Sequence, residues 1–293
     1  MNKVKNRECD EMNRKTRGNA SSNPGAVSQP NLLAASSYNV NIAVIGDSHV
    51  GYLNSQSVFN NFLPRAINSG TKRYVIFGGD NAHALGAFTT AEARSYYQQF
   101  KNIVDRYLGP KNIYYRTSIG NWEDTSRNDS RSLFLQYFNP LTGRVSIPRT
   151  RGLVQHVWLD NGTGTFSQDS INLLNNLDPN HYYIIDTHWP LYVPGIYNTV
   201  SSDHVVSRQE TDRFFNAIPA NVRNRILGIF THHAHVFYSK LTNIHANFPT
   251  TPFFVTGCSG DYKCSSFESG YYDVDITIQS NNQASLQARK VII

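Results

Sequence analysis

The stretch Asn41–Gly46, with the sequence NIAVIG, is followed directly by Asp47-Ser-His49, and this junction decides the fold. A short segment with a continuous apolar stretch (Ile42–Ile45) before a glycine is typical of a buried β-strand. The same arrangement recurs at Tyr74–Gly78 (YVIFG), which is followed by Asp80. Two buried strands that each end in an aspartate predict that acidic side chains line one edge of a sheet.

The rest of the chain alternates strand-like and helix-like segments. Further strands are predicted at Ile113–Ser118, Leu153–Leu159, Tyr182–Asp186, Ile226–Phe230, Phe253–Val255 and Tyr271–Ile278. Helices are predicted at Thr90–Leu108, Ser130–Phe138, Ser167–Leu177 and Gln209–Ala217. Apolar residues at helical spacing and serines at two helix starts support these helices. This alternation predicts an α/β layered fold.

Polar residues follow several of the predicted strands, namely Asp47, Asp80, Asn121, His188 and His233. In open α/β sheets, ligands bind where the carboxyl ends of strands meet the loops. Asp and His side chains are suited to Zn, Mn, Fe or Co. The pattern therefore predicts one metal site. His49 and His235, each two residues from another candidate ligand, complete the predicted set.

These segments, in this order, resemble the signature of the calcineurin-like metallophosphoesterase family. They are Gly46-Asp-Ser-His49, Gly79-Asp-Asn81, Gly120-Asn-Trp-Glu123, Thr187-His-Trp-Pro190 and His232-His-Ala-His235. The resemblance covers roughly residues 38–288. The acid-phosphatase branch of the family is the most similar, because Leu159-Asp160, His188-Trp-Pro-Leu-Tyr192 and Thr256-Gly-Cys-Ser-Gly260 fit that branch.

The resemblance implies a fold of two packed mixed β-sheets flanked by helices, a four-layer α/β/β/α sandwich. It also implies two divalent transition-metal ions (Mn, Zn or Fe). Asp47, His49 and His235 would hold the first ion, Asn121, His188 and His233 the second, and Asp80 would bridge them. Asp80, Asn121 and His233 would also be catalytic.

The sequence departs from the family pattern at two positions near these ligands. Trp122 occupies the place of the usual catalytic histidine, and an indole N–H is a donor only. His83, three residues after Asp80, is either a substitute for that histidine or a helix cap. His232 replaces the glycine of the Gly-His-x-His motif, where it would crowd the metal, approach the substrate or hydrogen-bond to a ligand.

Two functions follow from these observations. The first is metal-dependent hydrolysis of phosphate mono- or diesters, with a small molecule or a polymer as substrate and with reduced activity because of Trp122. The second is a catalytically retired relative with a binding, structural or storage role. No motif in the sequence identifies the substrate or the oligomeric state.

Composition narrows the possible partners, location and domain organisation. The net charge is +6 over 293 residues, but Met1–Ala20 alone contribute +3. The charge therefore does not favour a nucleic-acid-binding protein, although nucleic acid could still be a substrate. Residues 1–37 are predicted to be a polar, flexible leader, and residues 38–293 the folded domain. With no signal peptide or apolar membrane span recognised, a cytoplasmic location is expected. Cys258 and Cys264 are predicted either to pair or to stay reduced.

Overall fold

The computed structural model describes residues 37–293. The strands are β1 (Tyr38–Ile45), β2 (Lys72–Phe77), β3 (Tyr114–Thr117), β4 (Gly143–Ser146), β5 (Val154–Leu159), β6 (Tyr182–Thr187), β7 (Ile226–Thr231), β8 (Tyr238–Lys240), β9 (Phe253–Val255), β10 (Gly270–Ile278) and β11 (Ala284–Ile292). The α-helices are α1 (Ser55–Asn68), α2 (Thr90–Leu108), α3 (Ser130–Tyr137), α4 (Gln168–Asn175) and α5 (Arg208–Ala217). Apart from residue 37, the predicted leader lies outside the described residues.

The strands form two mixed sheets. The first has the order β11-β10-β1-β2-β3, in which β1, β2 and β3 are parallel, and β10 pairs antiparallel with both β1 and β11. The second has the order β4-β5-β6-β7-β9-β8, in which β5, β6, β7 and β9 are parallel. Because the parallel strands of each sheet end on the same side, their carboxyl ends form one edge per sheet.

Alternating side chains of the strands build the layers. In β1, Ile42 and Val44 pack between the two sheets, where they share a core with Ile184 of β6 and Phe230 of β7. The alternate residues Ala43 and Ile45 face the other way and pack against α1 and α2. The outer face of the second sheet is covered in the same manner by α4 and α5. The predicted four-layer sandwich is confirmed.

Four elements are not among the sequence predictions. Strands β4, β8 and β11 are at sheet edges and are short or half-exposed, so their apolar pattern is weak. Helix α1 contains Pro64 in its interior, a residue that usually ends a helix. The helix nevertheless buries Phe59, Phe62 and Leu63 on one face, and that packing stabilises it. Among the described residues, no helix is long and apolar enough to span a bilayer.

Candidate metal centre

The predicted ligand residues lie at the carboxyl ends of strands from both sheets. The first sheet supplies Asp47 and His49 after β1, Asp80 after β2 and Asn121 after β3. The second sheet supplies His188 after β6, and His233 and His235 after β7. The structure therefore brings together all seven residues at the junction of the two sheets.

Most of these residues have an unusual backbone conformation. Asp47, His49, Asp80, His233 and His235 have φ angles of 51°, 44°, 51°, 64° and 54°. This left-handed region costs a residue with a side chain about 1–2 kcal/mol. Such conformations persist only where the surroundings impose them, and they cluster at functional sites. Their concentration here is an independent sign that the loops serve a purpose other than stability.

The first ligand group consists of Asp47, His49, Asp80 and His235. One ligand atom of each lies within 4.8 Å of those of the others. His49 Nε2 is 3.2 Å from Asp80 Oδ2, and His235 Nε2 is 3.6 Å from Asp47 Oδ1. Asp47, His49 and Asp80 are buried, and His235 is largely so.

The second group consists of Asp80, His188 and His233, to which Asn121 is added by a contact. His188 Nε2 is 3.5 Å from Asp80 Oδ1 and 3.0 Å from Asn121 Oδ1. His188 Nδ1 donates to the carbonyl oxygen of Gly78 at 2.9 Å. This bond directs Nε2 towards Asp80 and favours the tautomer in which Nε2 is free to bind a metal.

The electrostatics of the site favour a cation. Burial alone would raise the pKa of Asp80, but His188 and His49 hold the pKa well below its usual range. Burial would also raise the pKa of Asp47, but His235 and His188 together hold that pKa below its usual value. Burial would lower the pKa of His188, but Asp80 and Asp47 raise it to about 9. Two buried carboxylates thus require positive charge beside them, which either protons or metal ions supply.

The donor set fits metal ions. Nδ1 of His233 is buried and has no hydrogen-bond partner among the described residues. Burial, and then His188, lowers the pKa of His233 to about 3, so this imidazole is neutral and has a free lone pair. Buried nitrogens without partners are costly, and coordination of a metal would satisfy them.

Two side chains that the sequence analysis did not single out hold the loops in place. The Glu123 carboxylate accepts hydrogen bonds from the backbone N–H groups of Asn81, Ala82 and Gly120 at 2.9–3.0 Å. Asn161 Oδ1 accepts from the backbone N–H of His188 at 2.9 Å. The acidic fourth residue of Gly120-Asn-Trp-Glu123 was the available signal for Glu123. The only sequence signal for Asn161 was its position after a predicted strand.

Trp122 belongs to an aromatic cluster beside the first ligand group. Its ring centroid is 4.0 Å from that of His83, 5.0 Å from that of Tyr262 and 5.5 Å from that of His49. Tyr52 closes the cluster, because its ring is 5.1 Å from His83 and 4.9 Å from Tyr262. The backbone N–H of Trp122 donates to Asp80 Oδ1 at 2.8 Å, so the main chain of Trp122 is hydrogen-bonded to a predicted ligand.

Tyr262 is carried by a loop that a disulfide between Cys258 and Cys264 closes. Of the two alternatives that the sequence left open, the structure has the paired form. The Tyr262 ring lies 4.9 Å from His49 and 5.7 Å from His235. This loop therefore places an aromatic side chain against two ligands of the first group.

His204 is a further histidine near the second group, and it was not predicted. Its ring centroid is 5.1 Å from that of His233, and its Nδ1 contacts Asp203 Oδ1 at 2.9 Å. Its side chain is 39% exposed. No motif surrounds His204 in the sequence, and only the folding of its loop towards β7 brings it to the site.

The comparisons with known proteins place the fold in the same class. No family model matches the chain, and no curated protein matches it. A dimetal phosphatase from Danio rerio superposes with a TM-score of 0.54 at 10% identity, over 85% of this chain and 98% of that one. A phosphatase from Mycoplasma pneumoniae superposes with a TM-score of 0.47 at 13% identity, over 87% of this chain and 94% of that one. The superposition on the dimetal phosphatase shows a shared fold, the four-layer sandwich that the resemblance to calcineurin-like metallophosphoesterases implies.

Proposed function

We propose that this protein hydrolyses phosphate esters at a dinuclear metal centre. The observation that carries the proposal is the position of Asp80 between the two ligand groups. Its Oδ2 faces His49 of the first group at 3.2 Å, and its Oδ1 faces His188 of the second at 3.5 Å. A carboxylate whose two oxygens face two separate groups of ligands is arranged to bridge two ions.

The ligand assignment follows from these groups. Asp47, His49 and His235 would hold the first ion, Asn121, His188 and His233 the second, and Asp80 both. A mixture of imidazole and carboxylate ligands suits Mn, Zn or Fe. A pair of such ions polarises a phosphoryl oxygen, lowers the pKa of bound water and stabilises an in-line displacement.

The protein itself provides little acid–base help at the position of Trp122. The Trp122 indole cannot release a proton to a leaving group. The ring of His83, the suggested substitute, packs at an angle against Trp122, and burial lowers the pKa of His83 to about 4. A neutral His83 is a poor general acid near pH 7. The proposed enzyme therefore favours small phosphate esters whose leaving groups depart without protonation.

The alternative is a metal-binding protein that has lost catalysis. The aromatic cover of the first ligand group favours it, because Trp122 and Tyr262 both contact His49. A substrate phosphate would have to approach beside these rings. Under this alternative the ligands retain metal, while phosphate esters are not turned over.

Metal analysis tests the site first. Protein purified without chelators is expected to contain about two transition-metal ions per chain, and Asp80→Ala is expected to lose both. Asp178→Ala, a change at a surface carboxylate, is the matched control. Absence of bound metal in the unmodified protein, with no thermal shift on adding Mn or Zn, would remove the basis of the proposal.

Activity assays separate the two functions. An aryl phosphate and a bis-aryl phosphodiester are incubated with the Mn-loaded protein, with Asp80→Ala and with Trp122→His. Turnover in the parent that disappears in Asp80→Ala supports the enzyme. A silent parent that becomes active in Trp122→His supports the retired relative. Restoring a positioned acid is worth roughly 10²–10⁴-fold in rate.

A further inference from the structure

His232 does not enter the ligand groups, although its neighbour His233 does. Its side chain is fully buried between the two sheets. Nε2 lies 2.8 Å from Asp186 Oδ1, and Nδ1 lies 2.5 Å from the hydroxyl oxygen of Thr256. Asp186 also accepts a hydrogen bond from the hydroxyl of Ser118. Each polar atom of the imidazole therefore has a partner.

These contacts join elements of both sheets at the ends that carry the ligands. Ser118 follows β3 in the first sheet. Asp186 is in β6 of the second sheet, His232 follows β7 and Thr256 follows β9. The network thus runs from the first sheet through Asp186 to the turn that begins the His233 and His235 segment.

Two glycines of the first sheet make room for the imidazole. A side-chain carbon at Gly46 would come within 2.5 Å of His232 Nδ1, and one at Gly78 would overlap the ring itself. Gly46 immediately precedes Asp47, and Gly78 is two residues before Asp80. The His232 ring is therefore in direct contact with the backbone that positions the ligands of the opposite sheet.

The hydrogen-bond roles in this network follow from its chemistry. A carboxylate only accepts, so Nε2 carries a proton and donates a hydrogen bond to Asp186. A buried carboxylate with this fixed set of donors has one favoured geometry.

We infer that His232 and Asp186 are positioning residues that set the spacing between the ligands of the first sheet and those of the second. The inference rests on the proposed metal centre. Asp47, His49, Asp80 and Asn121 come from one sheet, and His188, His233 and His235 from the other, so relative sliding of the sheets would separate the two ligand sets. The left-handed φ angles of His233 and His235 allow little local adjustment.

The test replaces the polar pair by an apolar one. Replacement of both partners of a buried hydrogen bond by apolar residues of similar shape can be nearly neutral for stability, so Asp186→Leu/His232→Leu has a route to a folded protein. Asp186→Asn is the conservative variant, because its amide oxygen still accepts from His232. Tyr74→Phe/His156→Leu is the control, since this pair also bridges the sheets (at 2.9 Å) but within the strands.

Metal affinity is measured by competition with a chromophoric chelator, beside the visible spectrum of the Co(II)-loaded protein and the urea unfolding midpoint. The leucine pair is expected to weaken binding by roughly 10–100-fold and to alter the Co(II) spectrum. Asp186→Asn and the control are expected to retain both properties. A folded leucine pair with parental affinity and spectrum would overturn the inference.

A gentler variant keeps the test decisive where the leucine pair does not fold. Ser118→Ala/Thr256→Val removes the two hydroxyls that hold the ends of the network and leaves His232 and Asp186 in place. It is expected to weaken metal binding several-fold, and parental affinity and spectrum in this variant would equally overturn the inference. Failure of the unmodified protein to bind metal is a different result, since it overturns the proposed function as well.

Discussion

The left-handed backbone at Asp80 leads to a prediction in which glycine and alanine differ in an unusual direction. Asp80→Gly and Asp80→Ala both remove the bridging carboxylate and the hydrogen bond from the Trp122 N–H. Alanine at φ 51° has to adopt a conformation that costs about 1–2 kcal/mol, and glycine does not. Glycine loses about 0.4–1 kcal/mol more backbone entropy on folding. The glycine variant is therefore expected to be more stable by about 1 kcal/mol.

The assay is thermal unfolding of both variants after removal of metal. For a domain of this size, 1 kcal/mol corresponds to a difference of about 2–4 °C in Tm. The control is Gln98 on the exposed face of α2, where Gln98→Gly is expected to be about 1 kcal/mol less stable than Gln98→Ala. Equal stability of the two Asp80 variants, or a more stable alanine variant, would refute the conclusion that the fold imposes this conformation.

Further predictions concern the aromatic residues that cover the first ligand group and His156, a second buried histidine between the sheets. Tyr262→Ala is expected to speed the loss of metal to a chelator, while Phe267→Ala, which follows the disulfide on the same β9–β10 connection but is 79% exposed, is expected to leave that rate unchanged. Serine at both Cys258 and Cys264 should have the same effect as Tyr262→Ala, with faster proteolysis of the loop as the second readout. Burial lowers the pKa of His156 from 6.5 to about 4, so its contribution to stability is present above pH 6.5 and is lost as the pH falls towards 4. At about 1.36 kcal/mol per pH unit, the free energy of unfolding of metal-free His156→Gln should fall by about 2 kcal/mol less than that of the parent between pH 7 and pH 5, and equal losses in urea titrations would contradict this assignment.

The sequence predicts those parts of the fold and site that depend on local residue patterns. β1 and β2 are short apolar stretches with polar residues directly after them, and parallel strands place those residues on one edge whatever the loops do. Helix α2 has a clear apolar face and a capping threonine, Thr89, so its predicted bounds agree with the structure. The positions of Asp47, Asp80 and Asn121 follow from the same logic.

The remainder depends on contacts between distant parts of the chain. Tyr262 approaches His49 only because a loop more than two hundred residues away folds back over β1. The direction of the His232 side chain is set by Asp186 and by the absence of side chains at Gly46 and Gly78, which no local pattern reveals. His204 reaches the site through a loop without a periodic pattern.

The pairing of β1 with β10 has a consequence for the order in which the protein is assembled. Val40 pairs with Ile276, so the central strand of the first sheet is hydrogen-bonded to a strand made more than two hundred residues later. Contacts of such long sequence separation form late, because a long loop must close first. During synthesis, Asp47 and His49 emerge well before β10, so their strand lacks one neighbour until β10 has left the ribosome. Metal loading is therefore expected to follow the pairing of β1 with β10.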